Sequence, residues 1–153
     1  MIVEWIDQKR PTLLGLLSGL VGGLVAVTPA AGFVDPKGAF LIGLIGGPAC
    51  YAGAVWLKRA LKYDDSLDAF GIHGVGGIVG AVLTGLLASA SINALSEDAD
   101  VIKQILGLLA VIAWSTVGTW VVLMVCRFTT GLRVDREGEI EGLDYSQHGE
   151  TIH

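Results

Sequence analysis

Apolar positions along this chain collect into four long runs, about residues 12–34, 38–57, 66–90 and 101–126, separated by short polar links. A helix needs about 20 apolar residues to cross a hydrocarbon core about 30 Å thick, and each run is long enough. The pattern therefore predicts four transmembrane helices within residues 1–130. Pro29, near the end of the first run, should break or kink its final turns. Pro36 falls in the link to the second helix, and Pro48 lies inside that helix, where neighbouring helices can satisfy the freed carbonyl. After Gly131 the pattern changes to the polar, acidic, glycine-punctuated RVDREGEIEGLDYSQHGETIH. Residues 131–153 read as a tail with a short helix around Arg136 to Glu141 and an otherwise disordered composition.

Composition places these helices in a bilayer. Hydrophobic residues make up 52% of the chain and charged residues 16%, against roughly 25% charged in a soluble globular domain. The 22 glycines would weaken water-soluble helices. In membranes they allow the close backbone contact that replaces the hydrophobic effect between helices. Between residues 12 and 57 the only charges are Asp35 and Lys37, and between 66 and 96 only Asp68. The fold class is an all-α membrane protein, a bundle of four transmembrane helices with a polar tail.

Charge in the links gives the orientation. Lys9 and Arg10 precede the first helix, Lys58, Arg59 and Lys62 lie between the second and third, and Arg127, Arg133 and Arg136 follow the fourth. The other links hold Lys37 alone or the acidic SEDAD. By the positive-inside rule both ends and the middle link are cytoplasmic. Small residues four apart, at Gly15/Gly19/Gly23, Gly43/Gly47 and Gly76/Gly80, should make smooth grooves for helix packing.

Several functions are unsupported. The net charge of −5 comes largely from the tail, and no basic stripe suggests nucleic acid. Cys50 and Cys126 lack metal-ligand spacing and read as small buried hydrophobes. Gly74, Gly76 and Gly80 miss the dinucleotide spacing by one residue, and no strand precedes them. No nucleophile–base pair or metal cluster stands at useful spacing, so neither an enzyme nor a cofactor is expected. Glu4 and Asp7 spoil the basic start of a signal peptide, and the first run exceeds its usual core of about 7–15 residues.

The chemistry that remains is His73, inside DAFGIHGVGGIVG. From a helix start near Asp64 or Asp65, about 1.5 Å per residue puts it some 13 Å in, close to the bilayer midplane. A neutral imidazole carries one donor and one acceptor, which lipid cannot satisfy, so the ring must face a helix or a cavity. Two readings stand: an interhelical hydrogen bond, or the lining of a conduit for a small polar or protonatable solute. Gly74, Gly76 and Gly77 leave room beside the ring, as a narrow pore requires, and a neutral ring can pass an amine or relay a proton. Asp68 stands about 140° away on a helix and is expected to fix its cytoplasmic end, where a carboxylate suits the N-terminal dipole.

DAFGIHGVGGIVG strongly resembles the penultimate membrane helix of the ammonium transporter family (Amt/Mep/Rh). VTPAAGFV at 27–34 looks like the family's motif at the end of an earlier helix, and YDDSLDAFG like the entry to the histidine helix. GLRV, EGLD and HGE resemble the regulatory tail, which marks Gly131, Arg133, Glu141, Gly142, Leu143, Asp144, His148, Gly149 and Glu150. The resemblance implies a trimer of eleven-helix protomers with one pore each, of which this chain would supply the last four helices. It places His73 as the second of two pore histidines and Thr28 near the pore, where ending a helix would explain it equally well. Transport of ammonium or ammonia, with methylammonium as an analogue, would follow, at the plasma (inner) membrane. A PII-type signalling protein becomes a plausible partner for the tail.

The departures bear on function. The first pore histidine, the aromatic gate and the family's first half-repeat lie outside the matched motifs, and His148 and His153 sit in the tail. A half-repeat cannot enclose a pore built at the interface of two repeats. MIVEWIDQKR looks like the end of a preceding helix, as a cut through a longer sequence would give. Three readings therefore stand: a transporter part completed by further helices, a membrane-anchored regulatory module acting through its tail, or an inert fragment.

Overall fold

In a computed structural model residues 1–150 are described. Thr151, Ile152 and His153, the end of the predicted tail, lie outside the described residues. A short helix, α1 (Ile2–Gln8), leads into α2 (Leu13–Val27) through a turn held by one carboxylate. Glu4 accepts hydrogen bonds from the Thr12 N–H (3.2 Å) and hydroxyl (2.6 Å), and Thr12 Oγ1 accepts from the Gly15 N–H at 2.9 Å. Thr12 is thus the N-cap that the first membrane helix needs. Thr28–Ala30 tightens into a 3-10 turn around Pro29, so the span closes at Ala30, four residues short of Val34.

Asp35 and Pro36 open the second span. The Asp35 carboxylate accepts from the Gly38 N–H at 2.7 Å, and proline at the first helical position gives up an amide that would have no partner. α3 (Pro36–Tyr51) passes into a π turn (Ala52–Leu57) and then α4 (Lys58–Leu61), one continuous span of 26 residues. It runs past the predicted Leu57, because Lys58 and Arg59 end the apolar run without ending the helix. A π adjustment is one way a membrane helix accommodates an internal proline such as Pro48.

The third span is shorter than predicted at both ends, a π turn (Phe70–Gly74) followed by α5 (Val75–Leu87). Asp68 takes φ +54° and breaks the helix before Ala69, while Ala88 is extended. Asn93 caps a 3-10 turn (Ala94–Asp98), and α6 (Val101–Thr129) is the fourth span. The described residues form no strand, and the four helical spans make this an all-α integral membrane protein.

The core is small. Ala26, Ala30 and Ile42 are fully buried, with Val27, Val34, Leu83 and Leu87 packed around them. Helices meet here through missing side chains. A Cβ on Gly80 would meet the Ala26 backbone, with the Ala26 Cα at 3.1 Å, and a Cβ on Gly46 would collide with the Ala26 methyl. A Cβ on Gly22 would stand 3.0 Å from Cys50 Cβ, and one on Gly76 would stand 2.8 Å from Cys50 Sγ. The glycine spacing named only part of this seam. Gly76 and Gly80 lie in it, whereas Gly23, Gly43 and Gly47 face open space and their neighbours Gly22 and Gly46 make the contacts. Residue spacing fixes a stripe but not which stripe meets the partner.

The end carrying the 31–35 link is tied by two hydrogen bonds: the Ser89 N–H donates to the Phe33 carbonyl at 2.9 Å, and the Asn93 side-chain amide donates from Nδ2 to the Gly32 carbonyl at 3.3 Å. The chain divides into two compact units, Met1–Leu109 and a second beginning at Ala110, with α6 running through the boundary. In the second unit α6 ends where the Gly131 N–H, at φ +84°, bonds the Cys126 carbonyl at 2.8 Å. Asp135 caps α7 (Arg136–Glu141) and Gly142 turns the chain into α8 (Leu143–His148). The Ser146 hydroxyl donates back to the Gly138 carbonyl at 3.1 Å. α7 is the short helix expected around Arg136 to Glu141, and α8 is a second one in a stretch whose composition otherwise suggests disorder.

Gly80→Ala should lower stability by about 1–3 kcal/mol, the usual cost of overpacking. Gly43→Ala, which meets nothing, should stay within about 1 kcal/mol of the parent. Thermal unfolding in detergent, followed by helical circular dichroism, distinguishes them, and equal midpoints would show that the Ala26 crossing carries no weight.

Candidate functional site

The histidine helix begins with a loop that is rich in carboxylates, Tyr63-Asp64-Asp65-Ser66-Leu67-Asp68. The free amides at a helix start need acceptors, and Asp65 supplies both. Its Oδ1 accepts from the Ala69 N–H at 2.8 Å and its Oδ2 from the Phe70 N–H at 2.9 Å. Asp68, expected at the helix entry, sits there with a different partner. Its Oδ1 takes Lys58 Nζ at 2.6 Å, and the same ammonium donates to the Asp65 carbonyl at 2.6 Å. Lys58 therefore clamps the end of the second span to the start of the third. Both side chains of the pair keep about a third of their surface exposed, 32% and 33%, so water screens the attraction.

Beyond the cap the helix widens. The Val75 N–H reaches the Phe70 carbonyl five residues back, the signature of the π turn that contains His73. Gly71 and Ile72 are buried and the His73 ring is exposed, with no hydrogen bond or ion pair from any described residue. The second span carries its own π turn at the same level, where the Lys58 N–H reaches the Gly53 carbonyl. The two π turns touch: a Cβ on Gly53 would meet the Gly71 carbonyl oxygen at 2.9 Å, and one on Gly71 would meet Ala54 Cβ at 2.8 Å. Tyr63 closes over this contact, its ring edge-on to Phe70 at 5.8 Å and its hydroxyl 3.5 Å from the Gly53 carbonyl.

The glycines beside the ring divide. Gly77 faces open space, Gly74 lies under the Phe70 ring, and Gly76 is taken up by packing against Cys50 and Val25. Thr28 is exposed and its hydroxyl donates to the Leu24 carbonyl at 2.7 Å. Ala26 crosses the third span at Gly80, seven residues and about 10 Å beyond His73. The structure therefore does not bring Thr28 and His73 together. A cleft of about 670 Å³ opens among α1, α2 and α3, walled mostly by aliphatic side chains with Glu4, Tyr51 and Asp68 among them; His73 is not in its wall. No group of three His, Cys, Asp or Glu among the described residues could hold a metal ion.

In the tail, the glycines of the recognised motifs supply the backbone conformations that other residues rarely adopt. Gly131, Gly142 and Gly149 have φ of +84°, +100° and +66°. The Glu150 N–H closes onto the Asp144 carbonyl at 2.9 Å, while Leu143 begins α8 and His148 ends it, exposed. Glu141 ends α7. Arg133 grips Glu139 through Nε and, at 3.1 Å, through Nη2, and this charge-assisted pair holds the Glu139 carboxyl below its ordinary range.

Asp65, Lys58, Gly53 and Gly71 are the residues around the histidine that sequence reasoning missed. DDSLD places three carboxylates within five residues, and only the fold tells which one receives the amides.

A family profile described as Ammonium Transporter Family matches residues 1–153. The chain is 45% identical over 160 residues to an ammonium transporter of Bacillus subtilis (strain 168), covering 100% of this chain and 40% of that protein. It is 46% identical over 158 residues to an ammonium transporter of Aquifex aeolicus (strain VF5), covering 100% and 37%. Among solved structures, it superposes on Saccharomyces cerevisiae Mep2 with a TM-score of 0.79 at 36% identity, covering 90% of this chain and 34% of that one. Candida albicans Mep2 gives 0.77 at 31%, covering 90% and 33%. The chain thus spans about two fifths of the length of the curated relatives it matches, and neither of those relatives is named as an enzyme.

Because Glu139 is depressed below its ordinary value of 4.5 when paired, the pairing stabilises the tail above that value. The contribution falls as pH drops from there through the lower folded value. Amide exchange of α7 should therefore accelerate as the pH falls below about 4.5, and Glu139→Gln should abolish that step. An acid step of unchanged size in the variant would assign it to another group.

Proposed function

The chain belongs to the ammonium transporter family, and from that premise we propose that it forms the C-terminal part of an ammonium/ammonia transporter, with His73 in the conduction path. The observation that carries the reading is the position of the ring. His73 stands in a membrane span, bare of partners, on a helix whose Gly76 and Gly80 are packed against α2 and α3. An imidazole at such a depth is costly unless it faces protein or a water-filled path. A neutral ring with a free donor and a free acceptor can hand a small amine onward or move a proton without trapping a cation. Asp68 is read as part of the cytoplasmic entry and Thr28 as a weaker lining residue. The positive-inside arrangement puts both ends of the described chain on the cytoplasmic side of the plasma membrane. In this reading the assembly is a homotrimer with one pore in each subunit, as the family resemblance implies.

His73→Ala should abolish methylammonium uptake or change its selectivity in cells expressing the complete gene product, with membrane abundance unchanged. Uptake and selectivity equal to the parent would remove His73 from the path.

A second role is favoured by the order in the tail. Gly131, Arg133, Glu141–Asp144 and His148–Glu150 belong to a segment with two capped helices and an internal ion pair, a preformed surface for a cytoplasmic partner such as a PII-type signalling protein. Deleting residues 131–153 should eliminate capture of purified PII-type protein by the detergent-solubilised transporter while leaving helix content in the membrane part intact. Undiminished capture by the tail-less protein would refute the regulatory reading.

A further inference from the structure

We infer that the two stacked π turns, Ala52–Leu57 and Phe70–Gly74, set the direction of the His73 ring, and that Gly53 and Gly71 are its positioning residues. The inference rests on the proposed place of His73 in the conduction path and adds what aims it there.

The geometry of an uninterrupted helix would bury the ring. At about 100° per residue, seven residues come within about 20° of two full turns, so His73 would lie on the stripe of Gly80, and eleven residues bring it equally close to Thr84. Gly80 and Thr84 are buried, and Gly80 faces α2 at Ala26. That stripe has no room for an imidazole, since even a methyl group at Gly80 meets the Ala26 backbone. In the structure His73 is exposed, and Gly71 and Ile72 occupy the buried positions before α5. The Val75 to Phe70 hydrogen bond contributes to the change. A π turn accommodates about one residue more than an α turn, which swings the residues ahead of the turn by on the order of 100° relative to α5 and swings His73, inside the turn, by part of that.

A π turn has poor intrinsic stability and needs a tertiary contact to hold its register. Gly53 and Gly71 supply that contact. The wide turn at Gly71 brings its backbone against Ala54, and the wide turn at Gly53 brings its Cβ position against the Gly71 carbonyl oxygen at 2.9 Å and Val75 Cγ2 at 2.8 Å. Each π turn thus fits the bulge of the other. Lys58 and Tyr63 hold the two helices together one turn away, through Asp68 and through the Gly53 carbonyl. A side chain at either glycine separates the turns and removes the reason for either to keep its extra residue.

The test uses the complete gene product. Gly53→Ala and Gly71→Ala should reduce methylammonium uptake at least tenfold and shift its pH profile, while Gly43→Ala, on the same span as Gly53 and in open space, should leave both unchanged. Carbethoxylation of His73, followed by mass spectrometry, should slow in both variants as the ring turns toward α2. Uptake, pH profile and modification rate all equal to the parent would overturn the inference. The result of His73→Ala separates the two ideas: if it leaves uptake intact the conduction reading fails, and if it abolishes uptake while both glycine variants are silent only the positioning fails. Should the variants not fold, a lipid-nanodisc structure of the parent decides. A Val75 N–H bonded to Phe70 supports the inference, and one bonded to Gly71 overturns it.

Discussion

The fold depends on Ala26, a methyl group caught between two glycines. Gly46 of the second span and Gly80 of the third both come against it, so three helices approach at one level to nearly backbone distance. In lipid an apolar side chain gains little by leaving hydrocarbon for protein, and close van der Waals contact takes over as the attraction between helices. The rest of the seam repeats this solution. Cys50 fills the gap between Gly22 and Gly76, and Gly53 meets Gly71. With the seam fixed, the face of each helix that meets its neighbours is fixed, and so is the face left for His73.

The polar groups divide between the two ends of this seam. At one end lie neutral hydrogen bonds, backbone and amide groups joining the 31–35 link to the segment after α5. At the other lies charge, with Asp65 on the helix amides and Lys58 on Asp68. Between them the seam is nearly free of polar side chains. The Thr84 hydroxyl is turned back onto the Gly80 carbonyl at 2.8 Å, as buried donors must be when no water is near. His73 alone in the histidine helix keeps a polar ring without a partner among the described residues, which sets it apart from the packing.

The sequence was legible where composition decides and opaque where packing does. Four apolar runs could only be four spans, and an imidazole in one of them drew attention by cost alone. Pro29 marked a helix end because proline lacks an amide. The seam was half legible. Four-residue spacing found Gly76 and Gly80 but equally Gly43 and Gly47, which face open space, since spacing is blind to rotation about the helix axis. The cap could not be read because Asp64, Asp65 and Asp68 are chemically alike, and the left-handed turn at Asp68 singles out Asp65. Nor do the π turns have a residue signature. They are stabilised by one another across two segments that meet only after folding. The tail was underestimated because its stability lies in particular bonds, Asp135 to Gly138 and Arg133 to Glu139, and a polar, acidic composition is the same whether or not those bonds form.

The clamp between Lys58 and Asp68 makes the two ends of the seam respond differently to their surroundings. Uncharged hydrogen bonds are nearly indifferent to dissolved ions, whereas a pair that is one-third exposed feels an ionic atmosphere with a screening length of about 8 Å at physiological salt. Raising the ionic strength therefore loosens the histidine end and leaves the opposite end taut. The ion concentration at one membrane surface becomes a mechanical setting, acting on the segment that carries the ring.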